Sequence, residues 1–441
     1  MEKLAGQSII DTLTGQFENF EKSLNGQSQS AVHGVRKNAF DILKGKGFPA
    51  QKDEEYKFTN FTKALEKNID FNSPKATCEI NISQVENAKI KDLDAYNLVF
   101  VNGEFSNTLS DDIKISGLEI TTFDEASKNN SDALAKYFGS EASVEKDPFI
   151  ALNTAFSQKG MFITVADNTV IDKPIAMHFI GDGTTDQSVY NIRNIMVVGK
   201  SAQVTLLEKF NTLGEQKSFT NVVNEIFVSE NAHTKYFKIE NDTDNAYHIS
   251  NVSVAQERHS TFTANTIALN GAMVRNNLDI KLNGQGCEAY MNGLYVLNGK
   301  THVDNHTVVD HIEPNSYSNE LYKGIMNDKS KGVFNGKIFV RQAAQKTNAF
   351  QSNKNILLTN DATVNTKPQL EIWADDVKCS HGCTTGQLDK DALFYLQARG
   401  IRKEHARAIL LNAFASDVIE NLEIGAVQAY VEEIIAARLE V

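Results

Sequence analysis

The densest group of reactive side chains in this sequence is Asp375-Asp376-Val377-Lys378-Cys379-Ser380-His381-Gly382-Cys383. Cys379, His381 and Cys383 are two residues apart, so on a strand all three point to one face. Two thiols and an imidazole suit iron, zinc or copper(I). A closed zinc site usually draws paired ligands from two separated clusters. Here there is a single cluster. A second surface, from elsewhere in the chain or from another subunit, must therefore complete any metal site. The same residues equally fit a reduced cysteine pair and a hydrogen-bonded histidine packed in a strand, because buried thiols behave as small hydrophobes.

A second group, His302-Val303-Asp304-Asn305-His306-Thr307-Val308-Val309-Asp310-His311, holds three histidines and two aspartates. His302, Asp304 and His306 share one parity and His311 takes the other. A polar ladder on the outer face of a coil is favoured over a metal site. Cys78 and Cys287 stand alone and are expected in the core, as is Trp373, the single tryptophan. No P-loop, no G-x-G-x-x-G after a strand and no G-x-S-x-G elbow is present. ATP, if involved, is bound by another protein.

The elements that carry these residues are legible in the spacing of apolar side chains. Ile9, Ile10, Leu13, Phe17, Phe20 and Leu24 form one helical stripe, ending at Asn25-Gly26. Val32, Val35, Ala39, Phe40 and Leu43 form a second, ending at Gly45 and Gly47. From Pro148 to Ile372 short runs of period 2 recur, such as Thr261–Ile267 and Leu278–Leu282. Asn-Gly pairs at 270, 283, 292, 298 and 335 are read as tight corners between them. More than two hundred residues of such strands exceed a single sandwich of about 100 residues. A β-solenoid, which grows by adding coils, accommodates them, although no exact repeat is found. After Trp373 helical stripes return, ending in Val427, Val431, Ile434 and Ile435, and predict a helical cap over the solenoid end. The expected division is an N-terminal helical and mixed region over 1–147, a β-helix core over 148–372, and a C-terminal helical region over 373–441 that begins with the ligand-bearing strand.

Composition narrows the function. The 441 residues carry a formal net charge of −12, which argues against nucleic acid and against an anionic membrane surface. No apolar run reaches the roughly 20 residues of a transmembrane helix. The first residues, Met1-Glu2-Lys3-Leu4-Ala5-Gly6-Gln7, lack the apolar stretch of a signal peptide. Four cysteines are too few for a disulfide framework, so a reducing, cytoplasmic setting is expected.

Several segments in order carry a family resemblance: Phe334-Asn335-Gly336-Lys337-Ile338, Gln342-Ala343-Ala344-Gln345-Lys346-Thr347, Asn355-Ile356-Leu357-Leu358, Lys367-Pro368-Gln369-Leu370-Glu371-Ile372, Lys378-Cys379-Ser380-His381-Gly382, and Leu393-Phe394-Tyr395-Leu396-Gln397-Ala398-Arg399-Gly400-Ile401. Together they resemble the C-terminal half of the SufB/SufD family of iron–sulfur cluster assembly proteins. Glu54-Glu55-Tyr56-Lys57-Phe58-Thr59 and Phe149–Phe156 also fit, so the resemblance spans nearly the whole chain and is densest from Ser318 to Phe414.

The resemblance implies a mainly β fold, a right-handed parallel β-helix with helical N- and C-terminal regions. It implies a scaffold subunit without turnover of its own, paired with a SufB-like paralogue and binding a SufC-like ATPase. A transient iron–sulfur cluster would form at the heteromeric interface, with no cofactor permanently bound to the isolated chain. His381 would serve that assembly opposite a partner cysteine, with Cys379 as its neighbour. Cys383 stands where alanine is common in this motif and is the weaker candidate. The ATPase would dock on the segment from Phe394 to Phe414, through Phe394, Tyr395, Arg399 and Phe414. His381-Gly382-Cys383-Thr384 lacks the glutamate that follows the histidine in SufB-type chains, which favours the SufD type. A vacant interface predicts a homodimer when the chain is alone. Two rival readings are a β-helix enzyme acting on polysaccharide, marked by a secretory signal and an acid–base groove, and a SufB-type scaffold binding cofactor by itself.

Overall fold

The computed structural model describes residues 4–24, 29–72, 80–129 and 131–439. Cys78 and the Asn25-Gly26 pair lie outside them. The period-2 runs form strands. The first are β1 (Tyr96–Val101), β2 (Glu104–Phe105), β3 (Leu118–Thr122), β4 (Met161–Val165), β5 (Ile175–Asp182), β6 (Ser188–Val198) and β7 (Gln203–Leu213). Next come β8 (Ser218–Val228), β9 (His233–Asn241), β10 (Ala246–Gln256), β11 (Thr261–Asn270), β12 (Met273–Leu282) and β13 (Glu288–Leu297). The last are β14 (His302–His311), β15 (Tyr317–Met326), β16 (Lys331–Val340), β17 (Asn348–Leu357), β18 (Thr363–Ile372) and β19 (Lys378–Gly386).

From β4 onward successive strands alternate between two sheets. One runs β19-β17-β15-β13-β11-β9-β7-β5-β1-β2 and the other β18-β16-β14-β12-β10-β8-β6-β4-β3. Every pairing between coils is parallel, and only the short β2 and β3 pair antiparallel. This is the β-solenoid the sequence predicts. Gln203 pairs with His233, Thr261 with Glu288 and Tyr317 with Asn348, so one coil takes 30, 27 or 31 residues. That drift is why no exact repeat shows in the sequence.

Ten α-helices are found among the described residues. Seven precede or interrupt the first coils: α1 (Gln7–Ser23), α2 (Ala31–Lys46), α3 (Phe61–Asn68), α4 (Ile82–Ala88), α5 (Phe123–Asn129), α6 (Ser131–Tyr137) and α7 (Pro148–Ala155). Three close the chain: α8 (Lys390–Ala398), α9 (Lys403–Ile419) and α10 (Gly425–Leu439). Ser30 caps α2 by accepting from the His33 backbone N–H. Asp147 caps α7 the same way, with Pro148 in its first turn. The stripes of α1 and α2 and the apolar α7 bury Phe17, Phe40 and Phe149 against Phe219 and Ile249 on the nine-stranded sheet. Leu411, Val418, Val427 and Val431 of the C-terminal helices pack on Leu207, Phe237, Ile267 and Leu294 of the ten-stranded sheet. Each such side chain contributes roughly 1.5–3 kcal/mol.

Four expectations are corrected. The C-terminal helices lie along the flank and leave the solenoid end bare, because their apolar stripe matches the apolar outer face of the sheet, not the end of the coil. Strand pairing begins at Tyr96, and Pro148–Ala155 is helical. Asn292-Gly293 and Asn335-Gly336 sit inside β13 and β16, whereas Asn298-Gly299 is a true corner with Gly299 at φ 60°. Trp373 is 48% exposed, stacked on Phe339 and topped by the Arg341 guanidinium, since no further coil follows to cover it.

Gly293 is needed for space. A Cβ there would lie 2.1 Å from the ring of Tyr322, its neighbour one coil on. Gly293→Ala should destabilise the fold by about 1–3 kcal/mol, the usual cost of overpacking, read as a lower urea midpoint.

Burial lowers His302 and His311 to about 4 each, and unfolding returns them to 6.5. The unfolded chain therefore binds more protons between about pH 6.5 and 4, and stability falls as pH drops through that window. Each ring contributes up to roughly 3 kcal/mol of this loss. Urea midpoints at pH 7 and pH 5 should differ accordingly, and His311→Gln should flatten the difference.

Candidate functional site

β19 pairs in parallel with β17, setting Cys379 beside Ala349, His381 beside Gln351 and Cys383 beside Asn353. Ala349, Gln351 and Asn353 are buried in the solenoid interior. Cys379, His381 and Cys383 continue that face one coil further, as their spacing predicts. They do so where the solenoid stops. β19 is the edge of one sheet and β18 the edge of the other. Cys379 is half-buried, and burial pushes its thiol up. His381 and Cys383 are exposed. Cys383 Sγ lies 3.1 Å from Thr366 Oγ1 on β18. Among the described residues no three His, Cys, Asp or Glu side chains converge as a metal site. The thiols and the imidazole therefore form an open row that needs a second surface to become a ligand set.

Behind this row the interior is polar. Asn353 Nδ2 donates to the Tyr295 hydroxyl at 3.1 Å, and Asn355 Nδ2 to Asn353 Oδ1 at 2.7 Å. Gln351 Nε2 donates to Glu320 Oε2 at 2.7 Å. Desolvation raises Glu320 to about 7, against the hydrogen bonds from Thr307 and Gln351. Sequence reading missed these residues. Their signal is parity: all lie on the interior-facing rungs of β13, β15 and β17, which is visible only once coil lengths of 27 to 31 are known.

The histidine–aspartate group of β14 is a ladder on the outer face, as expected, but it is roofed over. Arg275 Nη1 donates to Asp304 Oδ2 at 2.8 Å, and its guanidinium lies 3.9 Å from the Tyr56 ring centroid. His306 bridges Asp304 at 2.9 Å and Glu55 at 3.3 Å. His302 meets Thr59 Oγ1 at 3.0 Å. His311 points inward to Ser318 Oγ at 2.9 Å. Burial opposes the Asp304 charge, yet His306 and Arg275 hold it well below the ordinary carboxylate range. The hydrogen bond from His306, opposed by burial and aided by Lys337, draws Glu55 down to about 2. Glu54 reaches Lys367 at 2.5 Å on β18. The group thus ties the Glu54–Tyr56 turn to the last coils. Cys287 is buried, its thiol 3.1 Å from the carbonyls of Glu257 and Gly284.

α8 is anchored by Asp389, whose side chain accepts from the Asp391 and Ala392 N–H groups, yet it buries none of its side chains. Phe394 is 72% and Tyr395 58% exposed. Arg399 lies over the Tyr395 ring and donates to its hydroxyl at 3.1 Å. Phe414 is not part of this face. It packs half-buried on the ten-stranded sheet, with Lys323 Nζ 4.8 Å from its ring centroid and 2.6 Å from its carbonyl oxygen. α9 turns its apolar stripe to the sheet, which carries Phe414 away from α8's free side.

No described helix is long and apolar enough to cross a membrane. The family description "SUF system FeS cluster assembly, SufBD core domain" matches residues 179–414, and "SufBD protein N-terminal region" matches residues 7–177. An iron–sulfur cluster assembly SufBD family protein of Synechocystis is 30% identical over 94% of this chain and 93% of its own length. The iron–sulfur cluster assembly protein SufD of Escherichia coli is 32% identical over 85% of this chain and 86% of its own length. The Arabidopsis protein ABCI7, chloroplastic, is 29% identical over 91% and 86%. With both halves matched and the solenoid in place, this chain belongs to the SufBD family of iron–sulfur cluster assembly proteins.

Proposed function

We propose that the chain is the SufD-type scaffold subunit of an assembly complex. It pairs through its open solenoid end with a SufB-type paralogue and carries a SufC-type ATPase on α8. The observation that carries this reading is the terminal coil. β18 and β19 are long edge strands with free backbone groups, a feature that solitary proteins normally blunt or cover. On the interior face of β19 they present Cys379, His381 and Cys383 together. A second solenoid end laid against them would satisfy the backbone and supply the missing ligand. The His381 imidazole would offer one nitrogen lone pair to iron, and a partner thiolate would hold the other side. Iron and sulfide are the cargo, so the subunit itself turns nothing over. α8 is the dock because Phe394 and Tyr395 are apolar area that the fold leaves unused. ATP-driven approach of two SufC subunits would strain the paired ends and admit iron and sulfide to His381. A cytoplasmic setting and self-pairing of the lone chain belong to the same reading.

The experiment is anaerobic co-expression with SufB- and SufC-type partners, followed by assay of iron and acid-labile sulfide per complex. His381→Ala should leave the complex intact, since the side chain is exposed, and lower its cluster content about tenfold or more. Equal cluster in both would reduce His381 to a structural residue. Phe394→Glu should abolish co-purification of the ATPase while the paralogue is retained. Retention of the ATPase would place its dock elsewhere.

A further inference from the structure

Two polar side chains stand in line behind His381. Glu320 of β15 lies beside Gln351 of β17, and Gln351 lies beside His381 of β19. Parallel strands are about 4.8 Å apart, so the three residues form consecutive positions of one interior rung. Gln351 is 3% and Glu320 1% exposed. The 2.7 Å bond from Gln351 Nε2 to Glu320 Oε2 orients the amide. With Nε2 committed to a carboxylate oxygen, Oε1 is left over, and it is buried without a hydrogen-bond partner. An unanswered buried acceptor costs roughly 1–3 kcal/mol. The next side chain of the rung, on the side away from Glu320, is His381. Across the interior Gly336 makes room for this arrangement. A Cβ there would fall 2.3 Å from Gln351 Nε2.

We propose that Gln351, oriented by Glu320, is the positioning residue for His381. Its Oε1 accepts one imidazole N–H, which fixes the ring's tautomer and turns the other nitrogen's lone pair out of the open end, toward incoming iron. Histidines that bind metal generally donate their second N–H to such an acceptor. Rotation about the side-chain bonds of an exposed His381 is fast, and its register position one strand spacing from Gln351 puts Oε1 within the ring's range. The consequence for cluster building rests on the assembly role given to His381 above. The hydrogen bond itself does not.

The test separates the two. In the full chain labelled with 15N-histidine, the His381 ring signals are assigned by their absence from His381→Ala. Their shifts then give the tautomer ratio at a pH where the ring is neutral. Gln351→Met keeps the volume and removes the acceptor. It should move the ratio by about threefold to tenfold, the weight of one hydrogen bond. Glu320→Gln lets the Gln351 amide turn over and should weaken the preference in the same direction, and it serves if Gln351→Met fails to fold. In the complex, Gln351→Met should lower cluster content about tenfold. Folded variants with an unchanged tautomer ratio overturn the proposal. A shifted ratio together with normal cluster yield in His381→Ala keeps the hydrogen bond and overturns the assembly role.

Discussion

Hydrogen bonding between parallel strands one coil apart is the interaction on which the rest of this molecule depends. Each strand from β6 to β17 satisfies its backbone on both sides through its neighbours two places away in sequence. The stack aligns side chains in rows that run from coil to coil, so whatever faces inward at one level is echoed at the next. The same interaction leaves an unavoidable remainder. A stack of coils can pair its backbone everywhere except at its last strands, and here those strands are β18 and β19. Reactive side chains and unpaired backbone therefore occur together because both belong to the end of the ladder.

The flanks show how the molecule avoids other remainders. A parallel sheet is stable when both faces are covered. α1, α2 and α7 cover the outside of the nine-stranded sheet, and the C-terminal helices, with α4, that of the ten-stranded one. The Glu54–Tyr56 turn then reaches along the nine-stranded sheet and ties its edge through Glu54–Lys367 and Glu55–Lys337. These ties are partly exposed and individually weak. Their geometric effect is larger, since they hold the last coils in register with the N-terminal region while the end itself stays open. α8 is the exception among the C-terminal helices. It is joined to the body through α9 and keeps both its aromatic residues outside.

The interior has an unusual content for a packed core. Glu208 accepts from Asn194 at 3.0 Å and Asn224 at 2.9 Å, and Glu240 accepts from Asn276 at 2.7 Å. Further along, Glu320 and Gln351 meet. Buried polar groups cost stability unless paired, and most of these are. Gln351 Oε1 is left unpaired close to the open end, next to the one imidazole on that face.

The division between sequence and structure follows from the range of the forces involved. Amphipathic stripes, strand periodicity and the alternation of Cys379, His381 and Cys383 are local, set by the geometry of a few consecutive residues. The solenoid, the helical ends and the shared face of the three reactive residues were legible for that reason. Asn292-Gly293 was misread as a corner because an Asn-Gly pair carries a strong local signal, while the space needed by the Tyr322 ring comes from another coil. Trp373 was expected inside because nothing local says that no coil follows. Phe414 was grouped with Phe394 by nearness in sequence, and the packing of α9 separated them. The alignment of Glu320, Gln351 and His381 joins residues about thirty apart whose spacing drifts from coil to coil. The sequence by itself determined which residues line a strand's face. Only the tertiary structure decided which strands are neighbours and where the ladder ends, because hydrogen bonding between coils couples residues that no local pattern relates.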